Sequence, residues 1–198
     1  MSLPDEKREL RQRLLAERAR LPAADRAAAA LGAAERLASL PAWAAARTVA
    51  LYAPVGAELD TAEIARRARA AGKRLAWPRL GPGAQAMEFA ACEPEQLVAG
   101  PFGTREPPSG IPALPPGELH LVLVPGVAFD AAGRRLGRGR GHYDATLAAL
   151  PGATARVGLA FESQLVPAVP VEPHDARLDA LVTERRVLVG DPGRASFR

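Results

Sequence analysis

The chain has 198 residues, 48% of them hydrophobic, which is enough to bury a core within one domain. Its single cysteine, Cys92, excludes an internal disulfide, and nothing near it in sequence suggests a metal cluster or a base for thiol catalysis. A formal charge of +4 suits anionic ligands, nucleotides and nucleic acid alike, while no apolar run reaches membrane-spanning length.

The first twenty residues interleave Lys7, Arg8, Arg11 and Arg13 with Asp5, Glu6, Glu9 and Glu17, so they do not read as a signal sequence. A soluble, cytoplasmic protein without a membrane partner is the expectation. Leu10, Leu14 and Leu15, then Leu31, Ala34, Leu37 and Leu40, recur at helical spacing and predict two amphipathic helices within residues 1–40, the second ended by Pro41. A buried strand follows over 48–52, a helix over 62–71 stopped by Gly72, and a strand over 74–77 cut off by Pro78. Strand, helix, strand implies a parallel crossover. A short strand over 87–90 precedes residues 101–116, whose six prolines predict an irregular surface excursion. An apolar strand over 119–124, a helix over 143–150, a strand over 155–159 and closing strands at 181–183 and 187–189 complete an α/β core over 48–190.

Residues 134–144, Arg-Arg-Leu-Gly-Arg-Gly-Arg-Gly-His-Tyr-Asp, lie between a strand and a helix and have the composition of a phosphate-binding segment. Gly137, Gly139 and Gly141 let backbone N–H groups approach an anion, the helix start adds partial positive charge, and Arg135, Arg138 and Arg140 supply fixed charge. The pattern is neither a Walker loop nor a dinucleotide fingerprint. A flexible arginine–glycine segment that binds RNA is the alternative, against which the flanking strand and helix argue.

Asp144, and Asp175 within Val171-Glu172-Pro173-His174-Asp175, are candidate magnesium ligands, since that ion takes one or two carboxylates and completes its shell with water and phosphate. Each also has a plain structural reading, as a helix N-terminal charge for Asp144 and a turn residue for Asp175; His174 reads as a turn or core residue. Glu58-Leu59-Asp60-Thr61 follows the first strand, where parallel sheets bind ligands. Asp60 with Glu63 has capping-box spacing, whereas Glu58 has no such structural explanation.

Taken in order, these segments resemble the 5-formyltetrahydrofolate cyclo-ligase family over nearly the whole chain. The resemblance is carried by Lys7-Arg8-Glu9-Leu10-Arg11, by Tyr52-Ala53-Pro54 through Thr61, by Pro125-Gly126-Val127-Ala128-Phe129-Asp130 with Gly133, and by residues 135–144. Residues 158–164, 170–175 and 179–184 continue it. It implies a single three-layer α/β domain over 1–198 with a mainly parallel sheet, resembling sugar-phosphate isomerases and coenzyme A transferases. It further implies ATP-dependent closure of 5-formyltetrahydrofolate, or its polyglutamates, to 5,10-methenyltetrahydrofolate by phosphorylation of the formyl oxygen, with no protein nucleophile. The partners implied are small molecules, not nucleic acid, and the protein is expected to be a monomer. ATP would be bound by Lys7, Arg8 and Arg11 with Arg135, Leu136, Gly137, Arg138, Gly139, Arg140, Gly141, His142 and Tyr143. Mg2+ would be held by Asp144 and Asp175. The folate would be bound by Glu58 with Arg138 to His142, and Arg138 and Arg140 would act on the transferring phosphoryl group. The rival reading is a non-catalytic paralogue that binds folate, nucleotide or RNA on the same scaffold.

Two positions vary from the family pattern. His142 stands where the first of two tyrosines is usual, and an imidazole, unlike a phenol, titrates near neutrality, so an unusual pH dependence of substrate affinity is expected. Arg140 stands where some relatives carry lysine, which keeps the charge and changes the hydrogen-bonding geometry.

Overall fold

The computed structural model describes residues 2–81, 83–172 and 175–190; His174 lies outside the described residues. The chain opens with helices α1 (Leu3–Ala19) and α2 (Ala23–Ala38), followed by the short α3 (Pro41–Ala45). Pro41 therefore begins a helix as well as following one, because a missing N–H costs nothing in a first turn. On α2 the buried face is Ala29, Ala30, Ala33, Ala34 and Leu37, whereas Leu31 is 52% exposed. Small side chains carry this face and bring the helix close to the sheet. On α1 the fully buried residues are Lys7, Leu14 and Arg18, while Leu15 stays exposed.

The remaining elements are strands β1 (Thr48–Ala50), β2 (Arg74–Arg79), β3 (Glu88–Ala91), β4 (Val98–Ala99), β5 (Arg105–Glu106), β6 (Leu121–Val124), β7 (Ala128–Phe129), β8 (Arg135–Leu136), β9 (Ala155–Leu159), β10 (Ala180–Val182) and β11 (Val187–Val189), with helices α4 (Ala62–Ala70) and α5 (His142–Ala149). Seven strands form one sheet in the order β11-β10-β9-β6-β1-β2-β3. Its inner pairings are parallel, and β3 and β11 close the two edges antiparallel.

Alternation along β6 builds a three-layer arrangement. Leu121 and Leu123 join the cluster made with α2, α3 and α4, while Val122 and Val124 point the other way toward Leu147 and Leu150 at α5. β2 runs through Pro78, which faces Phe89 on β3. The β1–β2 pairing has already ended at Ala50–Ala76, so no partner on that side needs the N–H that proline lacks.

The proline-rich stretch is more than a surface excursion. β5 pairs with β4, Ala113 bridges to Ala90, and the Leu114 N–H donates to the Phe89 carbonyl at 2.7 Å, so the segment extends the sheet at its β3 edge. Among the described residues no helix is long and apolar enough to cross a membrane.

Candidate active site

β1 and β6 are neighbours and parallel, so the loops leaving their carboxyl ends share one side of the sheet. After β6 the chain forms the β7–β8 ribbon, and its turn is held by the buried Asp130, whose Oδ1 accepts from the Ala132 and Arg134 N–H groups at 3.0 and 3.1 Å. Asp130 Oδ2 accepts from Val169 N–H at 2.9 Å. The arginine–glycine segment thus springs from a pinned ribbon and runs directly into α5, unlike a disordered basic tail. Gly139 and Gly141 adopt φ of +95° and +73°, the left-handed region where a side chain would be strained, and Gly141 thereby turns the chain into α5.

A cavity of about 350 Å³ opens between this segment, the loop after β1, α1, and the ribbon tip around Phe102. Lys7, Arg11, Glu58, Asp144, Asp175 and all of 135–143 line it, so nearly every residue singled out in the sequence converges on one space. Arg8 does not line it; its guanidinium pairs with Asp5 on the outer face of α1 at 2.6 Å. The inward stripe of α1 is Lys7, Arg11, Leu14 and Arg18, residues four, three and four apart, which is helical spacing with charges where apolar side chains are usual.

The charged groups are mutually paired. Lys7 Nζ lies 2.7 Å from Asp175 Oδ2 and 2.8 Å from Glu172 Oε2. Burial pulls the Lys7 pKa down, but hydrogen bonds to Asp175 and Glu172 outweigh it and hold the ammonium above its usual range. Arg135 donates to Asp144 Oδ1 at 2.8 Å, and its guanidinium lies 5.6 Å from the centre of the Tyr143 ring. Arg138 donates through Nε to Glu58 Oε1 at 3.0 Å and through Nη2 to the Val55 carbonyl at 2.9 Å, while Glu58 Oε2 accepts from Val55 N–H at 2.9 Å. Asp60 instead accepts from Ala62 N–H at 2.8 Å, and Glu63 turns to Arg66 and Arg67 rather than closing a capping box.

Arg11 fixes the glycine segment by donating to the Gly137 carbonyl at 2.9 Å. Arg140 stacks 3.6 Å from the centre of the Phe102 ring, and its carbonyl accepts from the Gln85 amide at 3.0 Å. His142 Nδ1 is 3.0 Å from the Gln85 carbonyl, an acceptor, so Nδ1 carries the hydrogen and Nε2 is the ring atom left for other partners. The floor is held from below: the buried Arg18 donates to the Gly126 carbonyl at 3.0 Å, and Gln164 donates to the same oxygen at 2.8 Å. Burial, then the charge of Glu58, pushes the Tyr143 phenol well above its ordinary pKa, with Arg135 opposing. The Tyr143 hydroxyl is buried and has no hydrogen-bond partner among the described residues.

Phe102, Arg105 and Glu106 line the cavity from the proline-rich segment and were not legible in the sequence, because a ribbon of two-residue strands has no periodicity to read. Among the described residues no three His, Cys, Asp or Glu side chains form a metal cage. Asp144 and Asp175 bring two carboxylates to the cavity wall, the hard-oxygen donor type that divalent cations take.

The family model that matches the chain, over residues 4–184, describes the 5-formyltetrahydrofolate cyclo-ligase family. A 5-formyltetrahydrofolate cyclo-ligase of Mycolicibacterium smegmatis is 34% identical over 191 residues, covering 94% of this chain and 97% of the relative. One of Escherichia coli strain K12 is 38% identical over 159 residues, covering 78% and 87%. The solution structure of Aquifex aeolicus 5,10-methenyltetrahydrofolate synthetase superposes with a TM-score of 0.81 at 32% identity, covering 96% of this chain and 95% of that one.

Proposed function

The chain belongs to the 5-formyltetrahydrofolate cyclo-ligase family, and from that premise we propose that its cavity closes 5-formyltetrahydrofolate to 5,10-methenyltetrahydrofolate with consumption of ATP. The observation that carries this reading is the convergence of Lys7, Arg11 and the arginine–glycine segment with Glu58, Asp144 and Asp175 on one cavity.

The chemistry needs an activated oxygen. A formamide carbon is a poor electrophile, and its oxygen cannot leave as oxide. When the formyl oxygen attacks the γ-phosphoryl group, the β–γ bridging bond breaks, its electron pair leaves with ADP, and the formyl carbon becomes an iminium phosphate. N10 adds to that carbon and closes the five-membered ring. N10 then gives up its proton to solvent, and the C–O bond breaks with its pair going to phosphate, leaving the methenyl cation. No protein nucleophile enters, which agrees with Cys92 lying in the core beside Trp77 and not on the cavity wall.

The protein's tasks are alignment and charge neutralisation. In this reading Lys7, Arg11 and Arg135 with Tyr143 would receive ATP, Arg138 and Arg140 would meet the transferring group, and Glu58 with the segment from Arg138 to His142 would bind the folate; all of them line the cavity. Asp144 and Asp175 would hold Mg2+, which when bound offsets phosphate charge.

The test is the near-ultraviolet absorbance of the methenyl product, with purified protein, 5-formyltetrahydrofolate and magnesium-ATP at neutral pH. Growth is expected only when both ATP and metal are present; growth without ATP would overturn the phosphorylation step. Tyr143→Phe supplies a second check. Among the described residues the hydroxyl has no partner, so its loss should leave the melting temperature unchanged or slightly raised, whereas KM for ATP should rise about tenfold if a substrate atom is that partner. A lower melting temperature with an unchanged KM would assign the hydroxyl to the fold alone.

A further inference from the structure

Resting on the reading above, we propose that Lys7 gates the metal site: Asp144 and Asp175 take up a divalent cation only as a nucleotide's phosphates draw Arg135 and Lys7 off them, with Glu172 then holding Lys7 at the cavity. Each metal-ligand carboxylate is already occupied by a cation, Asp175 by Lys7 at 2.7 Å and Asp144 by Arg135 at 2.8 Å. Those cations are withdrawn from water, with side chains 8% and 3% exposed, so the carboxylates compensate their burial.

A divalent cation arriving alone would have to displace both, strand two buried positive charges and add its own to the same volume. A polyphosphate reverses both penalties, since its oxygens accept the hydrogen bonds of Lys7 and Arg135 and its charge balances the metal. Glu172 is the partner that stays. It lies 2.8 Å from Lys7 on the more exposed side, and its own N–H donates to Asp175 Oδ2 at 2.7 Å, so it ties the lysine to the carboxylate that it leaves. By linkage, the metal and the nucleotide must raise each other's affinity by the same factor. If the pairs of Lys7 with Glu172 and Asp175 were permanent staples, removing the Lys7 charge would not open the carboxylate, and Mn2+ affinity in the absence of nucleotide would not rise.

Manganese(II), followed by the electron paramagnetic resonance of its free aquo ion, is the probe, with β,γ-methylene ATP as the nucleotide and metal bound to nucleotide alone subtracted. Wild-type protein should bind Mn2+ at least about tenfold more tightly with the nucleotide than without it. Lys7→Met should bind Mn2+ alone at least about tenfold more tightly than wild type and lose most of the nucleotide's enhancement. Arg105→Met removes the same charge from the cavity lining without touching a carboxylate, because Arg105 donates to the Pro94 and Leu97 carbonyls, and should keep the enhancement. Equal wild-type affinity with and without nucleotide overturns the gate, as does an identical response of the Lys7 and Arg105 variants. Equal wild-type affinities overturn the gate even if Lys7→Met does not fold. Cyclisation by wild type, assayed in parallel, separates the failures: turnover without coupling overturns the gate alone, and no ATP-dependent turnover overturns the reading beneath it.

Discussion

Asp144→Ala and Asp144→Asn are expected to abolish ATP-dependent cyclisation alike, by about a thousandfold or more, while differing clearly in stability. The carboxylate serves two ends. Its Oδ1 accepts from Arg135, whose side chain is 3% exposed, and alanine leaves that guanidinium buried without its counter-charge. Breaking such a pair costs about 3 kcal/mol, which for a chain of this size lowers the melting temperature by roughly 6–12 °C. Asparagine keeps an acceptor for Arg135, so its cost should be nearer about 1 kcal/mol. Neither variant offers the anionic oxygen that a magnesium ion needs, and the charge neutralisation lost is worth several kcal/mol, each 1.4 being about a factor of ten in rate. Calorimetry and the methenyl absorbance assay read the two effects separately. Near-wild-type turnover in Asp144→Asn would remove Asp144 from the metal and leave it as a clamp on Arg135.

What could be read in advance follows from how each element is held. β6 was legible because a continuous apolar run buries both its faces, and α4 because Gly72 stops it. The arginine–glycine segment was legible because its composition is itself the chemistry. Burial of charge was not legible, because a distant partner decides it. Lys7 and Arg18 look like surface residues, and they are buried only because Asp175, Glu172 and the Gly126 carbonyl meet them from more than a hundred residues away. Apolar periodicity does not register a charge whose compensation lies elsewhere in the chain. Arg8 and Arg11 are alike in composition, yet one turn of helix places Arg11 at the cavity and Arg8 against Asp5. Phe102 reaches the site on a ribbon whose strands are too short to leave a pattern.

The second large effect concerns Arg138, where the structure sets two roles against each other. Its guanidinium binds Glu58 and the Val55 carbonyl, and Glu58 in turn binds the Val55 N–H, so the loop after β1 is tied to the glycine segment through this one side chain. Yet the side chain is 45% exposed where Glu58 is 9%, an arrangement in which Glu58 is fixed and Arg138 is able to leave it for a phosphoryl group. If Arg138 meets the developing charge, Arg138→Met should lower kcat by about a thousandfold, the range of arginines that act on phosphoryl transfer, and change ATP affinity only a few-fold. Lysine should recover little, because a point charge cannot reproduce a fork held on Glu58 and a carbonyl. If Arg138 only tethers the loop, its loss should raise KM for the folate with kcat nearly intact, and Glu58→Gln should reproduce it. Arg140 supplies the internal comparison. It stacks on Phe102 and touches no carboxylate among the described residues, so Arg140→Met should lower kcat through the phosphoryl group or through Phe102, and Phe102→Leu separates those two. A collapse in kcat confined to Arg138 would make it the phosphoryl-stabilising group, whereas a collapse confined to Arg140 would leave Arg138 as the residue that holds Glu58 to the folate.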